Sequence, residues 1–175
     1  MKSESESYIV INSGNNNEIY IGKNCHACFN ILTFENNNVF KLGENSSCHG
    51  IRVTLINNKL FIGKDCLISS RIIFHADGHT VVNYESGDVL NLLDEPMVIG
   101  DHCWLGMQTT FLKGAQVPDD CVVAFGSIVT KKFDKPHCVI AGSPAKIVKE
   151  NVSWSSCSPH YYYSNNLKAK YKKYK

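Results

Sequence analysis

The stretch Val98-Ile99-Gly100-Asp101-His102-Cys103-Trp104-Leu105-Gly106 begins a run in which Ile99, Leu105, Phe111, Val117, Val123 and Val129 recur at every sixth position. A period of six matches neither the period of about 3.6 of a helix nor that of about 2 of a half-buried strand. It fits a prism of short strands joined by tight corners, one hexad to a side, with each aliphatic or aromatic residue pointing inward. Gly or Asn at the corners then supplies positive φ at little steric cost.

Toward the N-terminus the same pattern recurs at a longer spacing. The units starting at Asn15, Asn36 and Asn57 each hold an Asn-rich turn or Asn pair, a short extended run, an aliphatic-Gly pair, a charged residue and Asn or Asp. Their anchors Ile21, Leu42 and Ile62 lie 21 and 20 residues apart, one coil of a solenoid with a few residues added to three hexads. The slot four after each anchor faces the narrow interior and should be small. It holds Cys25, Ser46, Cys66, Cys103, Thr109, Ala115, Cys121 and Ser127. Four of the eight cysteines are thus small apolar fillers, expected to be reduced and metal-free. The rival reading, that Cys25-His26-Ala27-Cys28 is half a zinc site, lacks a second Cys-x-x-Cys pair.

With 175 residues, 43% hydrophobic and 19% charged, the chain can bury one real core and is not a disordered polyelectrolyte. A net charge of +2 does not argue for nucleic acid. Five lysines fall in Lys168–Lys175, so the body is near neutral. Met1–Ser7 is polar and acidic, unlike a signal peptide, and no apolar run approaches the roughly 20 residues of a membrane span. A cytoplasmic location is expected.

The register breaks after Phe74. Ile99 lies 25 residues on, one more than four hexads, and the intervening stretch is polar and turn-rich. It reads as a loop, 76–97, extruded from the prism, the kind of segment on a rigid scaffold that carries chemistry.

From Ile9 to Val152 the chain resembles the hexapeptide-repeat acyltransferases. The residues carrying the likeness are Val98–Gly106, Gly126-Ser127-Ile128-Val129-Thr130-Lys131 and Ala141-Gly142-Ser143-Pro144-Ala145-Lys146. They are similar to those of galactoside and maltose acetyltransferases, and more closely to those of capsular and O-antigen polysaccharide O-acetyltransferases. The resemblance implies an all-β fold, a single-stranded left-handed parallel β-helix over 1–152, followed by a basic aromatic tail, 153–175. It implies a homotrimer with active sites in clefts between neighbouring prisms. It also implies acetyl-CoA as acyl donor, and as acceptor a sugar hydroxyl of a surface polysaccharide or its precursor.

Acetyl transfer from a thioester to an alcohol needs a base for the hydroxyl proton, a donor for the developing oxyanion, and two substrates held end to end. Asp77-Gly78-His79 resembles the segment carrying the family's catalytic histidine. The resemblance therefore makes His79 the base, with Asp77 to orient it. The competitor is His75, four residues earlier at a strand end; His26, His49, His102, His137 and His160 read as ordinary residues. The resemblance makes the backbone N–H of Met107 the oxyanion donor and sets Trp104 beside the acceptor and thioester. It runs the CoA arm over Gly106, Phe125, Gly126, Thr130 and Lys131, with Lys146 or Lys149 near phosphate. Phe125 departs from the small residue usual there, which bears on acyl-chain preference.

Three other readings share the prism: N-acetylation of an amino sugar, a γ-type carbonic anhydrase with three converging histidines, and a solenoid without catalysis. The Trp-x-Gly and Pro-Ala-Lys signatures favour CoA over a metal. The basic aromatic tail reads first as a solvated terminus, and second as a patch for anionic polysaccharide or a membrane-borne acceptor.

Overall fold

The computed structural model describes residues 7–76, 78–92, 95–165 and 167. The chain opens with β1 (Tyr8–Ile11) and then winds through about six coils. The first two are β2 (Glu18–Ile21) with β3 (His26–Phe34), and β4 (Val39–Leu42) with β5 (Ser47–Ile56). The third is β6 (Lys59–Ile62), β7 (Leu67–Ile68) and β8 (Ile72–His75). Then come β9 (Met97–Ile99), β10 (Trp104–Leu105) and β11 (Thr110–Leu112), followed by β12 (Gln116–Val117), β13 (Val122–Val123) and β14 (Ile128–Val129). The last coil holds β15 (Cys138–Gly142) and β16 (Ala145–Glu150), which folds back antiparallel on β15 and closes that end.

Every other pairing between these strands is parallel, coil on coil, and the pairings define three faces. Face I stacks β2, β4, β6, β9 and β12. Face II stacks the starts of β3 and β5 with β7, β10, β13 and β15, and face III stacks their ends with β8, β11 and β14. Because β3 and β5 run across the II/III corner, those two faces form one continuous sheet.

The hexad register is the core. Ile99, Leu105, Phe111, Val117, Val123 and Val129 are all at most 1% exposed, and Phe74 stacks on Phe111 at 4.7 Å. Ile21, on the outermost strand of face I, keeps 39% exposure, because it stacks on Leu42 with no coil beyond it in that face.

Two features of the coil sharpen the sequence reading that Gly or Asn supplies positive φ at corners and that the small slot is a filler. First, the glycines of the aliphatic-Gly pairs do not supply the positive φ. A Cβ on Gly22, Gly43, Gly63 or Gly100 would come within 2.6 Å of backbone or of an Asp side chain in the next coil, so close approach selects glycine there. The left-handed residues come two positions later, at Asn24, Asn45, Asp65, His102, Asp120 and His137, one per coil along the I/II corner. Asn24 donates to Asn45 (3.1 Å) and Asn45 to Asp65 (3.2 Å), a side-chain ladder along the axis. Second, the small slot is more than an apolar filler. Cys25 Sγ, Ser46 Oγ, Cys66 Sγ and Cys103 Sγ donate to the carbonyls of Gly43, Gly63, Gly100 and Pro118 at 3.1–3.2 Å. Each thiol or hydroxyl satisfies an interior carbonyl of the coil above it.

Candidate active site

The segment between β8 and β9 leaves the prism at the III/I corner. Its opening, Ala76, still bonds to coil two through its N–H to Thr54 O (3.0 Å), and Gly78 crosses so close to Ile56 that a Cβ would lie 2.4 Å from the Ile56 Cδ1. From there a hairpin arm projects, with Val82 bridged antiparallel to Val89 and a turn at 83–88. Asn91 ties the base of the arm: its side chain accepts from Val81 N–H (2.9 Å) and donates to His79 O (2.8 Å). Lys113 Nζ donates to Asn91 O (2.8 Å), which fastens the arm to the end of β11. His79 is exposed at this base. Asp77 lies outside the described residues. His75 faces outward from the end of β8, in register with Thr54 and Leu112, and is exposed rather than packed.

The remaining site residues fall in two groups. Gly106 and Met107 turn the II/III corner in coil four, Phe125 and Gly126 turn it in coil five, and Lys146 follows the β15–β16 turn at the same corner. Gly126 N–H donates to Met107 O (3.0 Å), and the N–H groups of Gly106 and Gln108 are also bonded. Among the described residues, the Met107 N–H donates to no backbone acceptor. Phe125 is 65% exposed and a Cβ on Gly126 would meet nothing within 4 Å, so the corner is open there, whereas a Cβ on Gly106 would lie 2.7 Å from Phe125 N. Thr130 and Lys131 turn the III/I corner, the one that carries the arm, and Lys131 sits over Phe133 at 5.4 Å. One chain therefore puts His79 and the Met107 N–H on opposite edges of face III.

Trp104 lies on face II, 40% exposed, its ring 6.2 Å from Trp154. The sequence reading missed the strap that the chain forms beyond β16. Val152 N–H bonds to His137 O (3.0 Å), Ser153 Oγ donates to Asp120, and Trp154 Nε1 donates to His102 O (2.7 Å) with its ring stacked on His102 at 4.7 Å. The strap crosses three successive coils along the I/II corner. It leads to a short helix, α1 (Pro159–Ser164), capped by Ser158. The signal that could have exposed the anchoring residues was the position three after each hexad anchor, where His102 and Asp120 replace asparagine. The lysines of the tail, Lys168–Lys175, lie outside the described residues.

Burial pushes the Cys48 thiol above its ordinary range and raises Cys121 to about 11. The hydrogen bond between Cys66 and Cys103 lowers Cys66 and raises Cys103. No three His, Cys, Asp or Glu side chains converge as metal ligands among the described residues.

A coiled prism of stacked parallel strands, with an arm at one corner, is a β-solenoid. A family profile described as the hexapeptide repeat of succinyl-transferase matches residues 96–131. The polysialic acid O-acetyltransferase of Neisseria meningitidis is 36% identical over 165 residues, covering 81% of this chain and 76% of that protein. The galactoside O-acetyltransferase of Escherichia coli K12 is 26% identical, covering 84% and 60%. Among solved structures, the polysialic acid O-acetyltransferase OatWY aligns at TM-score 0.63 with 27% identity, over 93% of this chain and 99% of that one. The polysialic acid-specific acetyltransferase NeuO aligns at TM-score 0.72 with 21% identity, over 95% and 99%, which shows the shared fold. The chain belongs to the hexapeptide-repeat O-acetyltransferases. It is an enzyme of that left-handed β-helix class.

Proposed function

We propose that the protein transfers the acetyl group of acetyl-CoA to a hydroxyl of a sugar in a surface polysaccharide or its precursor, as a homotrimer in the cytoplasm. The observation that carries this reading is the Met107 N–H, without a backbone acceptor among the described residues, on the corner that opens at Gly126, with an exposed histidine held at the other edge of the same face. His79 takes the proton of the attacking hydroxyl as the C–O bond forms. The Met107 N–H holds the resulting oxyanion. Collapse breaks the C–S bond, and the leaving thiolate takes the proton back from the imidazolium. Asp77 orients the ring, and Trp104 flanks the acceptor. The CoA arm follows Gly106, Phe125 and Gly126, with Thr130 and Lys131 lent by a neighbour's corner and Lys146 near phosphate. The exposed Phe125 stacks on the arm rather than blocking it.

Two arguments support the assembly and location. Base and oxyanion donor sit on opposite edges of one prism face, so a neighbouring copy is needed to bring them together. The arm also exposes Val81, Val82, Leu90 and Leu92, apolar surface that a second prism would cover. All eight cysteines are thiols rather than disulfides, as befits a reducing compartment. The solenoid through Val152 is the catalytic unit, and 153–175 is appended to it. A screen of CoA release from acetyl-CoA against sialic acid polymers, galactosides and amino sugars tests the reading. Ester formation on a sugar hydroxyl is expected. Amide formation on an amino sugar, or no acceptor-dependent release at all, would overturn it.

A further inference from the structure

Between the strap, α1 and face II lies a cleft of about 1290 Å³ that none of the catalytic groups uses. Asn45, Asp65, His102, Asp120, Trp154 and Tyr162 are among the residues that line it, with the Trp154 ring stacked on His102. The polar groups are held in place before any ligand arrives. His102 Nδ1 lies 2.9 Å from Asp120 Oδ1, and His137 Nδ1 lies 3.0 Å from its Oδ2. Ser153 Oγ bonds the same carboxylate, and Asn45 Nδ2 bonds Asp65. A neutral imidazole that donates through Nδ1 keeps Nε2 as an acceptor. The cleft thus presents fixed hydroxyl partners beside aromatic rings, with little rotamer freedom left to lose on binding. It also exceeds the volume of about 300–1,000 Å³ that suits a single drug-sized ligand.

We propose that this cleft is a second acceptor site, holding sugar residues of a glycan chain several units away from the hydroxyl that reacts. The proposal rests on the sugar O-acetyltransferase reading. Pyranose rings have the two matching surfaces: hydroxyls for Asn45, Asp65 and the imidazoles, and C–H faces for Trp154 and Tyr162. The cleft adjoins the reacting end, since Trp154 is 6.2 Å from Trp104. Among the described lining residues, Asp65 and Asp120 are the carboxylates, and hydroxyl, amide, imidazole and aromatic groups make up the rest of its polar and ring surface. The enzyme would therefore prefer chains to single sugars.

Titration calorimetry on the full chain tests this with sialic acid oligomers and galacto-oligosaccharides of one to eight units, alongside turnover with the same probes. At least one series should bind about tenfold tighter as oligomer than as monomer. Tyr162→Ala, on the exposed helix, and Ser47→Trp, which fills the cleft floor, should each remove that gain and leave the Kd for CoA as in the wild type. Thermal melts check that Ser47→Trp folds. No length dependence in the wild type, or a gain that survives both variants, would overturn the cleft site. A shift in CoA affinity instead would assign the cleft to the cofactor. Length-dependent binding without acetyl transfer would keep the site and sink the sugar O-acetyltransferase reading.

Discussion

His79 and His75 lie four positions apart and meet different surroundings. His79 has its carbonyl pinned by Asn91 at the base of the arm, whereas His75 stands on the sheet surface beside Leu112. His79→Ala should lower single-turnover acetyl transfer by about 10²–10⁴-fold, the worth of a positioned base, while CoA still binds. His75→Ala should cost far less; the reverse ranking would move the base to the strand end. The cysteine slot makes a second prediction. Cys103→Ser keeps a donor for Pro118 O, as Ser46 does for Gly63 O, and should stay within about 1 kcal/mol of wild type. Cys103→Ala leaves that carbonyl unpaired and should lose about 1–2 kcal/mol in chemical denaturation. Titration of Cys121 adds a pH signature. Its thiol is raised from 9.0 to about 11 by burial, so the folded state holds a proton that the unfolded chain releases. Stability from this group is complete below pH 9 and is lost as the pH rises toward 11. The denaturation midpoint should fall across that window, and less steeply in Cys121→Ser. The hexad anchors and the small slot were legible because each repeats one residue class at a fixed period. The donor role of the thiols was not, since a filler and a donor have the same size and only the carbonyl above distinguishes them.

At the scale of elements, the arm was visible as a break in register, but its hairpin was not. Val82 and Val89 pair across a turn without an Asn-Gly or Asp-Gly signal, and the tie at Asn91 depends on the distance between two strands that the sequence does not state. The strap was hidden for a related reason. Ser153 and Trp154 stand in a polar stretch with no period, and their partners Asp120 and His102 are 33 and 52 residues earlier. Trp154→Ala removes one indole hydrogen bond and one ring stack, and should cost about 2–3 kcal/mol in thermal or chemical melts. Trp154→Phe, which keeps the stack without the N–H donor, should recover part of that. If both variants melt like wild type, the strap contributes nothing to the solenoid.

For the whole molecule, the proposed division of the site between two corners predicts behaviour that no single chain can show. Light scattering should give about three times the 19.6 kDa of one chain. Chains carrying His79→Ala, inactive alone, should be rescued when co-assembled with chains carrying Gly126→Arg, which blocks the open corner. Roughly a quarter of the sites in an equal mixture would then be intact. No recovery would mean that base and track belong to one chain. The strap has a mechanical consequence as well. Its hooks at His137, Asp120 and His102 span three coils side by side, so a pull along the axis loads them together, in shear. The coils from β1 to β8 have no such strap among the described residues, and peeling them breaks one ladder at a time, as in unzipping. Held at both ends in a force experiment, the protein should yield from its N-terminal coils in small steps, with the strapped end giving way last and at higher force.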